Sequence, residues 1–373
     1  MSTCYSCHAI LNEANSSFEH VIPNSIGGRR KSDRLLCRAC NTEYGMTIDA
    51  ALAADFENLV AFLNLDRHRN KPYIIKNTRA RNGDLYHLEN GRTPVPAKPS
   101  YKIENGQISI TGRDRKEVMQ TASGLKRTYP DIDLAALEAN FSDEDVFIQS
   151  DLVIDLSVGS ESFMRSVAKI AVNYFLLKAR GAHHLAEIIS IIKGVQEKGD
   201  HIHHYYLPAD IWQEGEVSHL VMVKGDPSTR RLYAQVILFN TYYYVVNMCE
   251  TYDGAQVDYH YRYDVLEKRE IPDRVIIPYN REAFLEQARN SQDDLNKLVV
   301  TSVRDNLSRI LQIAEAYQAA QALQGVVSRS FDKAIEKYPA GTVITQEVAD
   351  DVHNKVFAKV AEFLRHIRRT VFE

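Results

Sequence analysis

The chain has 373 residues, 45% of them apolar and 25% charged, with a formal net charge of −4, the composition of a soluble globular protein long enough for two or three domains. No run of about 18 apolar residues is present to span a membrane. The start, MSTCYSCHAI, lacks a basic segment followed by an apolar one, so a reducing, cytoplasmic setting without structural disulfides is expected.

In chain order, the first signal is a pair of CxxC spacings, Cys4-Cys7 and Cys37-Cys40, which use four of the five cysteines. Two such pairs can supply the four thiolates of a tetrahedral zinc site, with sulfur at about 2.3 Å. Cys249 stands apart in an apolar run and is expected to be a core thiol. The 29 residues between the pairs exceed the roughly 15–20 of a common zinc ribbon, so something is inserted inside the clamped loop. Cys4 to His8 also spells CxxCH, the haem-attachment pattern. That reading needs export and an axial partner and leaves Cys37 and Cys40 unexplained, so His8 is taken as a surface residue beside the first knuckle.

The insert, SSFEHVIPNSIGG, predicts a strand over Phe18 to Ile22 that carries Glu19 and His20. Pro23 and Gly27-Gly28 then stop the ladder and turn the chain. Asp33 to Leu36 predicts the returning strand, and a helix is expected from Asn41 to about Leu63. Asn is also a good N-cap, so a purely structural reading of Asn41 stays open.

In this order and spacing, Cys4, Cys7, Glu19, His20, Pro23, Gly27, Gly28, Leu35, Leu36, Cys37, Cys40, Asn41 and Gly45 resemble an HNH endonuclease, a ββα-metal nuclease of the subgroup with two zinc knuckles. The resemblance covers residues 4–45. It implies His20 as the general base that deprotonates water, with Glu19 and Asn41 holding a catalytic Mg2+ or similar divalent cation. It also implies Cys4, Cys7, Cys37 and Cys40 around a structural Zn2+. The chemistry agrees: an oxygen-ligated divalent ion neutralises developing charge, and a histidine near its reference pKa of about 6.5 can accept a proton at neutral pH. Four thiolates leave zinc no open position, so zinc would hold together a unit too small to bury its own core. One position departs from the family pattern. An asparagine that braces the loop beside the histidine usually lies five residues before the second CxxC, where this chain has Ser32. Either Ser32, Asp33 or Asn24 is expected to substitute, or the loop is braced differently.

Beyond the hairpin, residues 64–127 hold 14 Lys/Arg against 6 Asp/Glu, and Asn82-Gly83, Asn90-Gly91 and Asn105-Gly106 punctuate it as hairpins. A helix is expected to begin near Arg113, Arg115 and Lys116. This basic β-rich extension is a candidate platform for the backbone of duplex DNA. Residues 128–373 carry an acidic excess instead. SESFMRSVAKIAVNYFLLKARGA predicts an amphipathic helix through Phe163, Val167, Ile170, Tyr174 and Leu177, ended by Gly181, and a second helix follows over His184 to Val195. Residues 219–249 predict antiparallel strands broken at Gly225-Asp226-Pro227 and Asn240-Thr241. From Arg281 to Glu373 helix is expected, with a break at Pro339–Gly341. His201, His203 and His204 are explained by a strand entering the sheet, Tyr242-Tyr243-Tyr244 by packing, and the final arginines by charge at a helix C-terminus.

The sequence therefore predicts an α+β protein of three parts: an HNH-type module over 1–63, a basic β-rich extension or linker over 64–127, and a C-terminal domain of antiparallel sheet and helices over 128–373. The last would regulate, recognise or oligomerise, through a second copy of the chain or an activating partner or ligand. The expected activity is metal-dependent hydrolysis of DNA phosphodiester bonds. Bacterial defence systems couple such nucleases to sensing domains, which brings anti-phage defence into the expectation. The competing readings are a catalytically silent zinc-knuckle module that binds nucleic acid or protein, and an assembly protein dominated by its C-terminal part.

Overall fold

In the computed structural model, β1 (Ser16–His20) pairs antiparallel with β2 (Lys31–Cys37), placing Glu19 opposite Ser32 and His20 opposite Lys31. The structure describes residues 2–65, 74–89, 93–104, 107–141, 152–153, 159–179, 182–205, 211–277, 282, 292–339 and 341–372. The expected turns at Asn90-Gly91 and Asn105-Gly106, and Gly181, lie outside them.

The first strand ends at His20, two residues before the expected limit, and Pro23, which has no N–H to extend a ladder, leads into a 3-10 turn over Asn24–Ile26. Both glycines that follow are required. Gly27 has φ 95°, a left-handed conformation, and a Cβ on Gly28 would sit 1.9 Å from the Ile22 carbonyl oxygen.

The single helix expected from Asn41 to Leu63 is three: α1 (Arg38–Met46), α2 (Ile48–Asp55) and α3 (Glu57–Phe62). At the first break the Thr47 hydroxyl donates to the Glu43 carbonyl at 2.7 Å, a side-chain bond that competes with the helical ladder. Cys37, not Asn41, is the N-cap of α1. Asn41 lies inside the helix, so a capping role does not explain it.

The basic segment forms β3 (Ile74–Ala80), β4 (Leu85–Glu89) and β5 (Thr93–Pro96), joined by β8 (Leu152–Val153) in a four-stranded sheet of order β5-β4-β3-β8. The hairpin β6 (Ser100–Glu104) and β7 (Gln107–Thr111) precedes α4 (Arg115–Leu125), whose N-cap Asp114 accepts the Glu117 N–H. A short helix α5 (Leu134–Ala139) follows.

Helix α6 (Glu161–Lys178) is capped by Ser160 and leads to α7 (Ala186–Ile192). The large sheet runs β14 (Arg269–Glu270), β13 (Val257–Asp264), β10 (Ser218–Asp226), β11 (Arg231–Leu238), β12 (Tyr242–Cys249), β9 (Ile202–His204), with every neighbour antiparallel. Because strand residues alternate faces, Val221, Val223, Tyr242, Tyr244 and Val246 join the main core, while Leu220, Met222, Tyr243 and Val245 join a second core with Tyr205 and Trp212. Both faces are covered, which explains the near-continuous apolar runs. Two long helices, Gln292–Ile335 and Gln346–Phe372, complete the described chain. Among the described residues no helix is long and apolar enough to cross a membrane.

The main core is continuous from the hairpin into the large sheet. Val21, Ile26, Leu36, Leu52 and Phe56 share one cluster with Phe163, Val167, Ile170, Phe239 and Tyr242. Helix α6 lies between the two, packed on α2 and β2 on one side and on β10, β11 and β12 on the other.

Candidate functional site

The four N-terminal cysteines converge: their sulfur atoms all lie within 4.8 Å of one another. Cys4, Cys37 and Cys40 are buried and Cys7 is exposed. The first knuckle is closed by the His8 N–H donating to the Cys4 carbonyl at 2.8 Å, and the Tyr5 N–H ties it to the Leu35 carbonyl of β2 at 3.1 Å. The Cys40 backbone N–H, first among several donors, brings the Cys37 thiol down to about 7, which favours the thiolate a metal needs. Donor type, number and spacing fit zinc. His8 is exposed, as expected. Cys249 stands apart from the four and contacts the Thr251 hydroxyl at 3.7 Å.

Glu19 and His20, adjacent on β1, point to opposite sides. Glu19 is 3% exposed and faces α6, whereas His20 is half-buried at the end of the strand. Glu19 Oε1 lies 2.5 Å from Lys169 Nζ and accepts a 2.9 Å bond from Asn173 Nδ2. Lys169 Nζ also donates to Asp49 Oδ2 at 2.7 Å, and the Ser166 hydroxyl to Asp49 Oδ1 at 3.0 Å. One buried ammonium thus serves two carboxylates. Burial pushes Lys169 down, but Asp49 and Glu19 more than offset it and hold the ammonium above its ordinary value.

Asn173 has three partners. Its Oδ1 accepts the Tyr5 hydroxyl at 2.9 Å, and its Nδ2 donates both to Glu19 and to the His20 backbone carbonyl, the latter at 3.0 Å. Burial, with help from Glu19, raises Tyr5 well above the ordinary phenol value, so its proton stays in place to donate.

Asn41 Nδ2 donates to Ser17 Oγ at 2.8 Å and to the Phe18 carbonyl at 3.1 Å. These bonds fasten α1 to β1 and leave the amide oxygen, the ligand atom for a hard cation, outside them. Ser32 is buried, and its hydroxyl accepts the Arg34 N–H at 3.2 Å. Asn24 Oδ1 accepts Arg29 Nη1 at 3.0 Å. The side chain that holds the His20 backbone therefore comes from α6.

Sequence reasoning brought the cysteines, Glu19, His20 and Asn41 together but missed Ser166, Lys169 and Asn173, which resemble a solvated stripe beside the apolar face of α6. A signal was present. Met164, Ala168, Ala171, Val172 and Phe175 fill the other positions, and a helix that is apolar all round is buried, so its few polar residues need buried partners.

Elsewhere, Lys76, Arg79, Lys98, Lys102 and Lys116 are exposed, and Arg115 pairs with Glu138 at 2.9 Å. Arg67, Arg69 and Lys71 lie outside the described residues. His203 and His204 belong to β9, and His201 bonds the Asn247 carbonyl at 2.9 Å. None of the three belongs to a metal-competent group among the described residues. Tyr242, Tyr243 and Tyr244 are buried, as packing requires.

Residues 4–57 match a family model described as HNH endonuclease, which suggests nuclease activity at the level of the family. Comparison with curated proteins and with solved structures gives no match.

Proposed function

We propose that the chain is a metal-dependent endonuclease that hydrolyses DNA phosphodiester bonds, with His20 as general base. The observation that carries this reading is the convergence of four cysteines around a hairpin whose first strand ends at His20, inside the segment that matches nucleases. His20 would take the proton of the attacking water from its half-buried position at the strand end. A hard divalent cation such as Mg2+ would, when bound, neutralise charge on the phosphate and the leaving oxygen. By the family pattern Glu19 and Asn41 would hold it. Asn41 fits, because its amide oxygen is outside the two bonds that fix the side chain. Glu19 does not fit as it stands: it is 3% exposed, it faces α6 on the side of β1 opposite His20, and its Oε1 already takes Lys169 and Asn173.

Duplex DNA would lie against the exposed cations of residues 76–116, whose contacts to phosphate give affinity without sequence preference. The larger part of the chain would act as sensor or assembly surface, through an activating partner or a second copy, in a defence effector directed against phage.

The test is cleavage of plasmid by the purified chain in Mg2+ against EDTA. Loss of a positioned base in His20→Ala should slow cleavage by about 10²- to 10⁴-fold, and equal rates would overturn the mechanism. The Lys169–Glu19 pair favours one alternative, a zinc-knuckle module that binds nucleic acid or protein without cutting. That reading expects DNA binding by both forms and no Mg2+-dependent cleavage by either.

A further inference from the structure

We infer that Asn173, in helix α6 and far beyond the segment that matches nucleases, is a positioning residue for His20. The inference rests on the reading of His20 as general base and adds a part of the site that lies outside residues 4–57.

The strand ends at His20, and the chain then turns through Pro23 into the 3-10 turn. The carbonyl at this exit point is held by Asn173 Nδ2 at 3.0 Å. The other Nδ2 proton goes to Glu19 at 2.9 Å, and Oδ1 takes the Tyr5 proton. Reversing the amide would set its oxygen against a carboxylate and a carbonyl, so only one orientation satisfies the three partners. Asn173 is 0% exposed, and in that setting an amide held by three partners acts as a rigid spacer between α6 and the backbone that carries the base.

The same face of α6 holds the next layer. Ser166, Lys169 and Asn173 fall at i, i+3 and i+7, one side of a helix. Lys169 and Ser166 grip Asp49 of α2 while Lys169 and Asn173 grip Glu19 of β1. The helix thus fixes the strand that bears His20 against the helices that follow the second knuckle. A base must lie within hydrogen-bond reach of its water, and a shift of about 1 Å in such a group costs about 10²-fold.

The experiment uses the full chain with zinc bound and compares wild type, Asn173→Ala, Asn173→Ser and Tyr5→Phe. Tyr5→Phe removes a buried hydrogen bond of the same amide but leaves its two donors on Glu19 and His20. A purely structural role predicts that Tyr5→Phe and Asn173→Ala slow cleavage alike. A positioning role predicts that both Asn173 variants lose 10- to 100-fold in the single-turnover rate while zinc content and DNA affinity stay within about twofold, and that Tyr5→Phe keeps the wild-type rate. Wild-type cleavage by Asn173→Ser, or by Asn173→Ala if it folds, would overturn the inference and leave the nuclease reading standing. If wild type itself does not cleave, as expected where the activating partner is absent, the rates decide neither the inference nor the nuclease reading. Amide exchange at Val21, whose N–H bonds the Arg30 carbonyl at 2.8 Å, then decides the inference on its own. Acceleration of 10-fold or more in Asn173→Ser over Tyr5→Phe supports the brace, and equal exchange refutes it.

Discussion

His219 of β10 uses both ring nitrogens inside the core. Nε2–H donates to the Ile26 carbonyl at 2.8 Å and Nδ1 accepts the Phe239 N–H at 3.2 Å, so the ring must be neutral with its proton on Nε2. Burial brings it down to about 4 from the ordinary 6.5. The folded value is depressed, so its contribution is complete above pH 6.5 and is lost as pH falls from there toward 4. At 1.36 kcal/mol per unit the loss reaches about 3 kcal/mol. His204, also near 4 through burial, adds to the same slope. Urea midpoints should fall between pH 7 and pH 5, and His219→Gln should flatten part of that fall; a flat wild-type profile would contradict the assignment. Since Ile26 lies in the turn after His20, acid weakens the anchor of the candidate site as well as the core. At this scale the places of Glu19 and His20 on a strand and of Asn41 at the following helix were legible because their order and spacing form a motif. Asn173 was not, because its partners Tyr5, Glu19 and His20 lie 168, 154 and 153 positions away and no local pattern encodes them.

Among elements, the knuckles were read correctly from spacing alone, since a metal requires its donors to meet whatever the chain does between them. Cys37 is at once one of the four converging thiols and the N-cap of α1, so its loss would remove a donor at the point where strand becomes helix. Cys37→Ser should abolish tight zinc binding by elemental analysis and loosen β1 and β2, whereas Cys249→Ser should keep the metal. Retained zinc in Cys37→Ser would refute the four-thiolate site. Helix boundaries were less legible. Three short helices replaced one, and at the first break the Thr47 hydroxyl captures a backbone carbonyl, a contact that propensity does not foresee. Both faces of the large sheet are covered, a consequence of the unbroken apolar strands that their reading as an antiparallel sheet did not draw.

For the whole molecule, the hairpin, α6 and the large sheet share one core. Phe56, 0% exposed, meets Phe163, Phe239 and Tyr242 with ring centroids 5.4, 5.1 and 5.0 Å away. Phe56→Ala should cost about 3–5 kcal/mol. If the core is one cooperative unit, urea should release zinc and shift the fluorescence of Trp212, in the second core, at the same lowered midpoint. Zinc release that shifts while Trp212 does not would show two independent units. This continuity was hidden from the sequence because it depends on contacts between residues more than a hundred positions apart, whereas the turn from basic to acidic composition read as a seam.

The two carboxylates that share Lys169 also limit how this hairpin can be moved between proteins. A chimera that takes residues 1–65 without α6 carries Glu19 and Asp49 into its new interior with no counter-ion, a penalty of several kcal/mol per uncompensated charge. A recipient must already offer serine, lysine and asparagine at the same three steps along a helix, or the graft must bring that helix with it. Recombination is therefore expected to transmit the two segments together, although residues 66–160 separate them in the chain.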